Sequence, residues 1–255
     1  MQAKYTCRLR GREVAVIIDP MNNTYSKGIL GASALKYIAA LAMLIDHVAW
    51  LYLPIDTAAG QLAHTVGRLT MPVMCYFLAE GFYKTKSTAK YAARLFIFAL
   101  LAQPGFTLAG FGGGNVMFTL LLGLLALWAC QLRVHPALSA LAVLAAAGLS
   151  VFCDWPVFGV LFVLIFGLRR DDARMTRAVR FAAYGVVALA SVVFSAWTLG
   201  AYWRYSAFQL GTLLAPALLM LYNGERGRGG ALSKWFFYVF YPAHLLALGL
   251  IHTFS

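Results

Sequence analysis

Residues 35–53 read LKYIAALAMLIDHVAWLYL, and the fold follows from how this stretch is read. As a helix it rises about 1.5 Å per residue, which approaches the roughly 30 Å thickness of a bilayer's hydrocarbon core. Near its centre stand Asp46 and His47. Ionisable groups at that depth are costly, so they face a protein interior or a wet cavity rather than lipid. One spanning helix cannot supply such an interior, so the rest of the chain must.

The totals agree. The chain has 255 residues, of which 62% are hydrophobic and 12% charged, with mean hydropathy +0.74. A soluble domain carries about 25% charged residues. The expectation is an all-α polytopic integral membrane protein without a second soluble domain. The cysteines, Cys7, Cys75, Cys130 and Cys153, show no CxxC or metal-ligand spacing. They read as small core residues, and no metal is expected.

Apolar segments of helical length alternate with short polar joints. The pattern predicts about nine transmembrane helices, with eight to ten possible. They fall near 35–53, 62–83, 88–107, 115–131, 137–153, 156–169, 178–199, 204–222 and 232–252. They form one domain over 34–255, preceded by a basic tail over 1–33. Val14–Ile18 is too short for a signal-peptide core.

The net charge of +12 would suggest nucleic acid in a soluble protein. The positions of the charges argue otherwise. Lys4, Arg8, Arg10, Arg12, Lys27 and Lys36 lie in the tail or at the start of the first helix. Lys84, Lys86, Lys90 and Arg94 follow the second helix, and Arg133 follows the fourth. Arg169, Arg170, Arg174, Arg177 and Arg180 follow the sixth; Arg226, Arg228 and Lys234 follow the eighth. With nine helices these 19 of 21 basic residues share one side. The opposite joints hold Asp56, Asp154 and Arg204, and Arg68 lies within the second helix. The positive-inside rule then puts the N-terminus in the cytoplasm, and it explains the charge without a nucleic-acid partner.

Depth singles out a few polar groups. Asp46 lies ten residues past Lys36 and His244 ten past Lys234, so both are about 15 Å in. Tyr241 shares the His244 face one turn away, and Arg68 can reach the same layer. Asp46 and His47 point about 100° apart, which argues against a simple dyad. Asp46 shares its face with Ala39, Ala42 and Ala49, which suits a close helix contact and a pair with Arg68. His47 shares its face with Met43 and Trp50 and is expected to look into a midplane polar cavity. Each group also has a structural reading: an interhelical hydrogen bond for the histidines, an ion pair for Asp46–Arg68, topology for Lys84, Lys86 and Lys90.

Five blocks now match a known family in order. They are LKYIAALAMLIDHVAWLY (35–52), GRLTMPVMCYFLAEGFYKTKS (67–87), KYAARLFIFALLAQPGF (90–106), NVMFTLLLGLL (115–125) and KWFFYVFYPAHLL (234–246), the last preceded by LYNGERG (221–227). Together they resemble the TraX family, the conjugal-transfer membrane proteins known for F-pilin acetylation. That family looks related to integral-membrane acyltransferases, in which a membrane histidine acts as general base on an acyl-CoA taken from the cytoplasm. FLAEGF before a basic joint is similar to the segment preceding that class's CoA-contacting motif. The tail has no match, and 132–204 matches only in general character.

The resemblance implies an acyl-CoA-dependent acetyltransferase. Acetyl-CoA would be the donor, and the N-terminal amine of an extracytoplasmic pilin-like protein the favoured acceptor. A cell-surface glycan hydroxyl is the alternative acceptor, and a transporter or a conjugation-assembly protein without catalysis the alternative class. His47 is the expected base, with Asp46, Tyr241 and His244 orienting it or polarising the thioester. Arg94, Lys90, Lys84 and Lys234 are placed for CoA phosphates, and Arg68 and Asn115 toward substrate.

Overall fold

A computed structural model describes residues 4–9, 12–17, 28–132, 134–168, 175–227 and 230–254. Helices dominate it. The tail departs from the all-helical expectation. Strands β1 (Lys4–Leu9) and β2 (Arg12–Ile17) pair antiparallel, with Lys4 opposite Ile17 and Leu9 opposite Arg12. Alternating, partly β-branched stretches such as REVAVI favour a strand once the chain folds back on itself.

The first long helix, α1, spans Ala32–Tyr52. Its small residues Ala39, Ala42 and Ala49 are buried, whereas Ile38, Leu41, Ile45 and Val48 are exposed. This is the reverse of a soluble helix: small side chains let neighbouring backbones approach, and bulky apolar ones face outward. The expected second helix is broken into α2 (Ala58–Gly67) and α3 (Thr70–Lys84). The cause is Pro72, which has no N–H to offer the Arg68 carbonyl and whose ring crowds it. The break puts Gly67 against Asp46, where any Cβ would collide with the aspartate side chain.

Helix α4 (Thr88–Leu108) starts on Ser87, whose hydroxyl accepts from the Lys90 amide at 3.3 Å. Helix α5 (Val116–Gln131) starts on Asn115, whose carbonyl accepts from the Met117 amide at 3.0 Å. Such side chains satisfy the orphan amides of a helix start. Then come α6 (Pro136–Ser150), α7 (Phe158–Gly167) and α8 (Arg177–Leu199).

The expected eighth helix, 204–222, is instead a 3₁₀ helix over Gly200–Leu214 followed by the short α9 (Ala215–Met220). Gly200 at φ +53° and the non-helical Tyr202 turn the chain back on α8. Gly211 in this segment lies so close to the Thr65 backbone that a Cβ would strike it. Helix α10 (Gly230–Phe254) ends the chain and packs mainly on α4. Gly105 on α4 meets the backbone of Leu245 and Leu246, and Gly249 on α10 meets Leu108 and Gly105.

Among the described residues, four stretches are long and apolar enough to cross a membrane: Ala32–Tyr52, Thr88–Leu108, Arg177–Met220 and Trp235–Phe254. α5, α6 and α7 are shorter apolar helices. Arg133, Arg169, Arg170 and Arg174 of the basic joints lie outside the described residues, as does Arg228.

Candidate functional site

A cavity of about 750 Å³ opens between α1, α3, α4, α5 and α10. Its two ends differ in charge. Lys36 near the start of α1, Lys84 at the end of α3, Lys86, Arg94 and Arg226 surround one end. Asp154 and Trp155 line the other. The Tyr83 hydroxyl donates to the Gly167 carbonyl at 2.6 Å, which ties the end of α7 to the basic end. Asp154, before the start of α7, therefore lies a helix length away. Between the ends, His47, Asp46 and Tyr241 share the wall with Met43, Met71 and Met74.

The two histidines expected at one depth do meet. His47 Nδ1 lies 2.7 Å from His244 Nε2, and both residues are buried. His244 Nδ1 lies 2.8 Å from the Phe240 carbonyl. A carbonyl only accepts, so that nitrogen carries the proton. A neutral ring then offers a lone pair at Nε2, which accepts from His47 Nδ1–H. The same logic leaves His47 Nε2 unprotonated, with no hydrogen-bond partner among the described residues. The network thus fixes the tautomer a base requires, by hydrogen-bond logic rather than by seeing hydrogens. His47 lines the cavity and His244 stands behind it.

Asp46 does not orient His47. Its Oδ1 lies 2.8 Å from His64 Nδ1, and its Oδ2 accepts from Arg68 Nη2 at 2.5 Å. Arg68 is clamped further: its guanidinium carbon lies 5.0 Å from the Trp155 ring centre and 5.2 Å from that of Phe208. The Asp46–Arg68 pair expected from the sequence is present, and it welds α1 to the α2–α3 break. His64 was not singled out in the sequence, though it sits four residues before Arg68 on one helix face. It is fully buried, and Trp50 packs on it at 4.4 Å between ring centres instead of joining His47 at the cavity.

Tyr241 lines the cavity with its hydroxyl buried, and that hydroxyl donates to no acceptor among the described residues; its ring centre is 6.4 Å from that of His47. Asn115 is placed differently from the expectation. Its Nδ2 donates to the Ala99 carbonyl at 2.8 Å and to Gln103 Oε1 at 2.9 Å, while its Oδ1 caps α5. Both amide hydrogens are spent and the residue is fully buried. It locks α4 to α5.

At the basic end, Arg94 lines the cavity with its Nε unpartnered among the described residues. Lys84 lines it too and donates to Glu80 Oε1 at 2.6 Å. The Tyr222 hydroxyl donates to the same oxygen at 2.8 Å. Lys90 is exposed and does not reach the cavity. The Lys234 side chain lies outside what the structure describes. Lys36, Lys86 and Arg226 complete the rim, although the sequence marked them only as topology residues. Lys36 Nζ lies over the Phe77 ring at 5.0 Å. At the opposite end burial pushes the Asp154 carboxyl up to about 6, with the Arg68 guanidinium opposing the shift. No cluster of three or more metal-ligating side chains occurs among the described residues.

Comparison with known proteins covers nearly all of this architecture. No solved structure matches the chain. The "Probable fimbrial assembly protein FimC, serogroup H1" of Dichelobacter nodosus is 34% identical over 237 residues, covering 85% of this chain and 93% of that protein. The sequence profile described as "TraX protein" matches residues 31–252, which takes in α1 with the Asp46–His47 pair, the α2–α3 break and the α10 histidine. On that extent of similarity, the chain belongs to the TraX family.

Proposed function

We propose that this protein is a membrane-embedded acetyltransferase of the bacterial inner membrane, with nine membrane-crossing segments. It moves an acetyl group from cytoplasmic acetyl-CoA to an extracytoplasmic acceptor, most favourably the N-terminal amine of a pilin-like protein. The observation that carries the reading is the His244–His47 chain, which leaves an unprotonated Nε2 on a buried cavity wall. An interhelical hydrogen bond alone would need no cavity at His47, and here the free nitrogen belongs to a residue that lines one. The fimbrial-assembly name of the Dichelobacter relative supports a pilin-like acceptor.

The cavity volume suits a thioester arm. Lys36, Lys84, Lys86, Arg94 and Arg226 would hold the CoA phosphates at its mouth. Only the uncharged arm then passes to the level of His47. There the acceptor nitrogen attacks the thioester carbonyl. His47 Nε2 takes the proton that the nitrogen loses and passes it to the departing sulfur, as the C–N bond forms and the C–S bond breaks. The Tyr241 hydroxyl supplies a donor for the developing oxyanion.

Labelled acetyl-CoA and the purified protein test this directly. His47→Ala should stay folded in detergent and bind acetyl-CoA, yet transfer acetyl at least about 10²-fold more slowly. Undiminished transfer by that variant would remove His47 from the mechanism.

A further inference from the structure

Three carboxylates line the cavity, and two are neutralised. Asp46 is held by His64 and Arg68, and Glu80 by Lys84 and the Tyr222 hydroxyl. The third, Asp154, forms no ion pair within 4 Å among the described residues. It is half-buried and open to the cavity, at the end opposite the cationic rim.

Its setting is rigid. The Asp154 amide donates to the Gly114 carbonyl at 2.7 Å, and its own carbonyl accepts from the Thr119 hydroxyl. The next residues, Trp155 and Val157, both have positive φ, +58° and +56°, on either side of Pro156. A β-branched residue in that region is a true outlier, and such strain persists where the surroundings impose it, commonly at ligand sites. Trp155 lines the same end and takes the Arg68 guanidinium over its ring. The Asp154 carboxylate is also within electrostatic reach of the Tyr241 hydroxyl on the His47 wall.

We propose that Asp154 anchors the acceptor by its primary ammonium group, at the far end of the cavity from the CoA rim. This rests on the acetyl-transfer reading and sharpens it: it selects an amine acceptor over a hydroxyl. An acceptor amine reaches the membrane protonated, and a carboxylate with no ion-pair partner in the cavity wall is the group that recognises it. Asp154 takes one proton from the anchored ammonium, and the neutral amine so freed gives its second proton to His47 as it attacks. Burial raises the Asp154 carboxyl only to about 6, so it is mostly ionised at neutral pH. A hydroxyl acceptor would leave this carboxylate without an ion-pair partner, so the site disfavours it. A primary ammonium has two sources here, a chain N-terminus or a lysine side chain.

The test uses the full-length protein in detergent with three short peptides. One has a free α-amine, one carries a hydroxyl in its place, and one is N-terminally blocked with an internal lysine. The wild type should bind the α-amine peptide about tenfold or more tighter than the hydroxyl peptide. Asp154→Asn should erase that preference, and Asp154→Glu should keep part of it. In turnover, Asp154→Asn should raise the amine KM about tenfold, more than it lowers kcat. Acetyl-CoA affinity reports on the distant rim and serves as the folding control. Tighter binding of the lysine peptide would assign the same anchor to side-chain amines. No amine preference in the wild type, or one that survives in Asp154→Asn, overturns the proposal. If the preference depends on Asp154 but no acetyl is transferred, the anchor stands and the acetyl-transfer reading falls. If acetyl is transferred with an unchanged amine KM in Asp154→Asn, the reading stands and the anchor falls.

Discussion

At the scale of single residues, the site rests on which nitrogen carries a proton. His244 touches no cavity wall, yet it sets the tautomer of His47 through a 2.7 Å hydrogen bond. Its own proton is held by the Phe240 carbonyl one turn back. It is therefore a positioning residue. His244→Ala should slow acetyl transfer by about 10²-fold, because His47 then has no fixed tautomer. His244→Gln keeps an acceptor oxygen near the place of Nε2 and should recover much of that loss. The pH–rate profile separates this role from a structural one. It should move in the alanine variant and return in glutamine. Equal loss in both variants, with an unmoved profile, would make His244 a packing residue only.

Helix contacts set the distances that these bonds need. α10 brings His244 to α1 because α4 lets it come close. Gly105 and Gly249 each lie where a Cβ would enter the facing backbone. Gly105→Val should therefore push α10 from α4, lower the thermal stability in detergent by about 1–3 kcal/mol, and reduce acetyl transfer as His244 retreats from His47. Thermal unfolding and a transfer assay on the same sample check this. A variant of unchanged stability would mean that the seam yields more easily than its geometry allows. The α2–α3 break acts in a similar way. Pro72 frees the Arg68 carbonyl, the helix bends, and Arg68 closes on Asp46 with Gly67 making room.

Taken whole, the molecule separates charge along the cavity, with cations at one end and a carboxylate at the other. On the nine-segment topology proposed above, 19 of the 21 basic residues share one side, which would put the cationic end toward the cytoplasm. A donor and an acceptor entering from opposite ends would meet beside His47. Sealed vesicles of defined orientation test this. Acetyl-CoA on the Lys/Arg-rich side should acetylate an impermeant amine peptide held on the other side. Transfer only when both are on one side would exclude reaction across the membrane, even in a working acetyltransferase.

Much of this was legible in residues 35–53 and in the spacing of lysines and arginines. Hydropathy and helical rise are local, additive properties, so they placed the long helices and set Asp46 and His244 at one depth. Counting from Lys36 and Lys234 was enough to bring the two histidines to one layer. The Asp46–Arg68 pair was legible too, because small residues on the Asp46 face announced a close contact. Tertiary structure alone decided the partners around these groups. His64 claims the second Asp46 oxygen, Asn115 is consumed in locking α4 to α5, and Lys90 points away from the cavity. It also turned residues 200–214 into a 3₁₀ segment, where Gly211 packs on the Thr65 backbone. Asp154 drew no attention in the sequence, since an acid in an outer joint is ordinary. Its meaning depends on which carboxylates have cations at hand, and that follows from how the helices assemble rather than from any one segment.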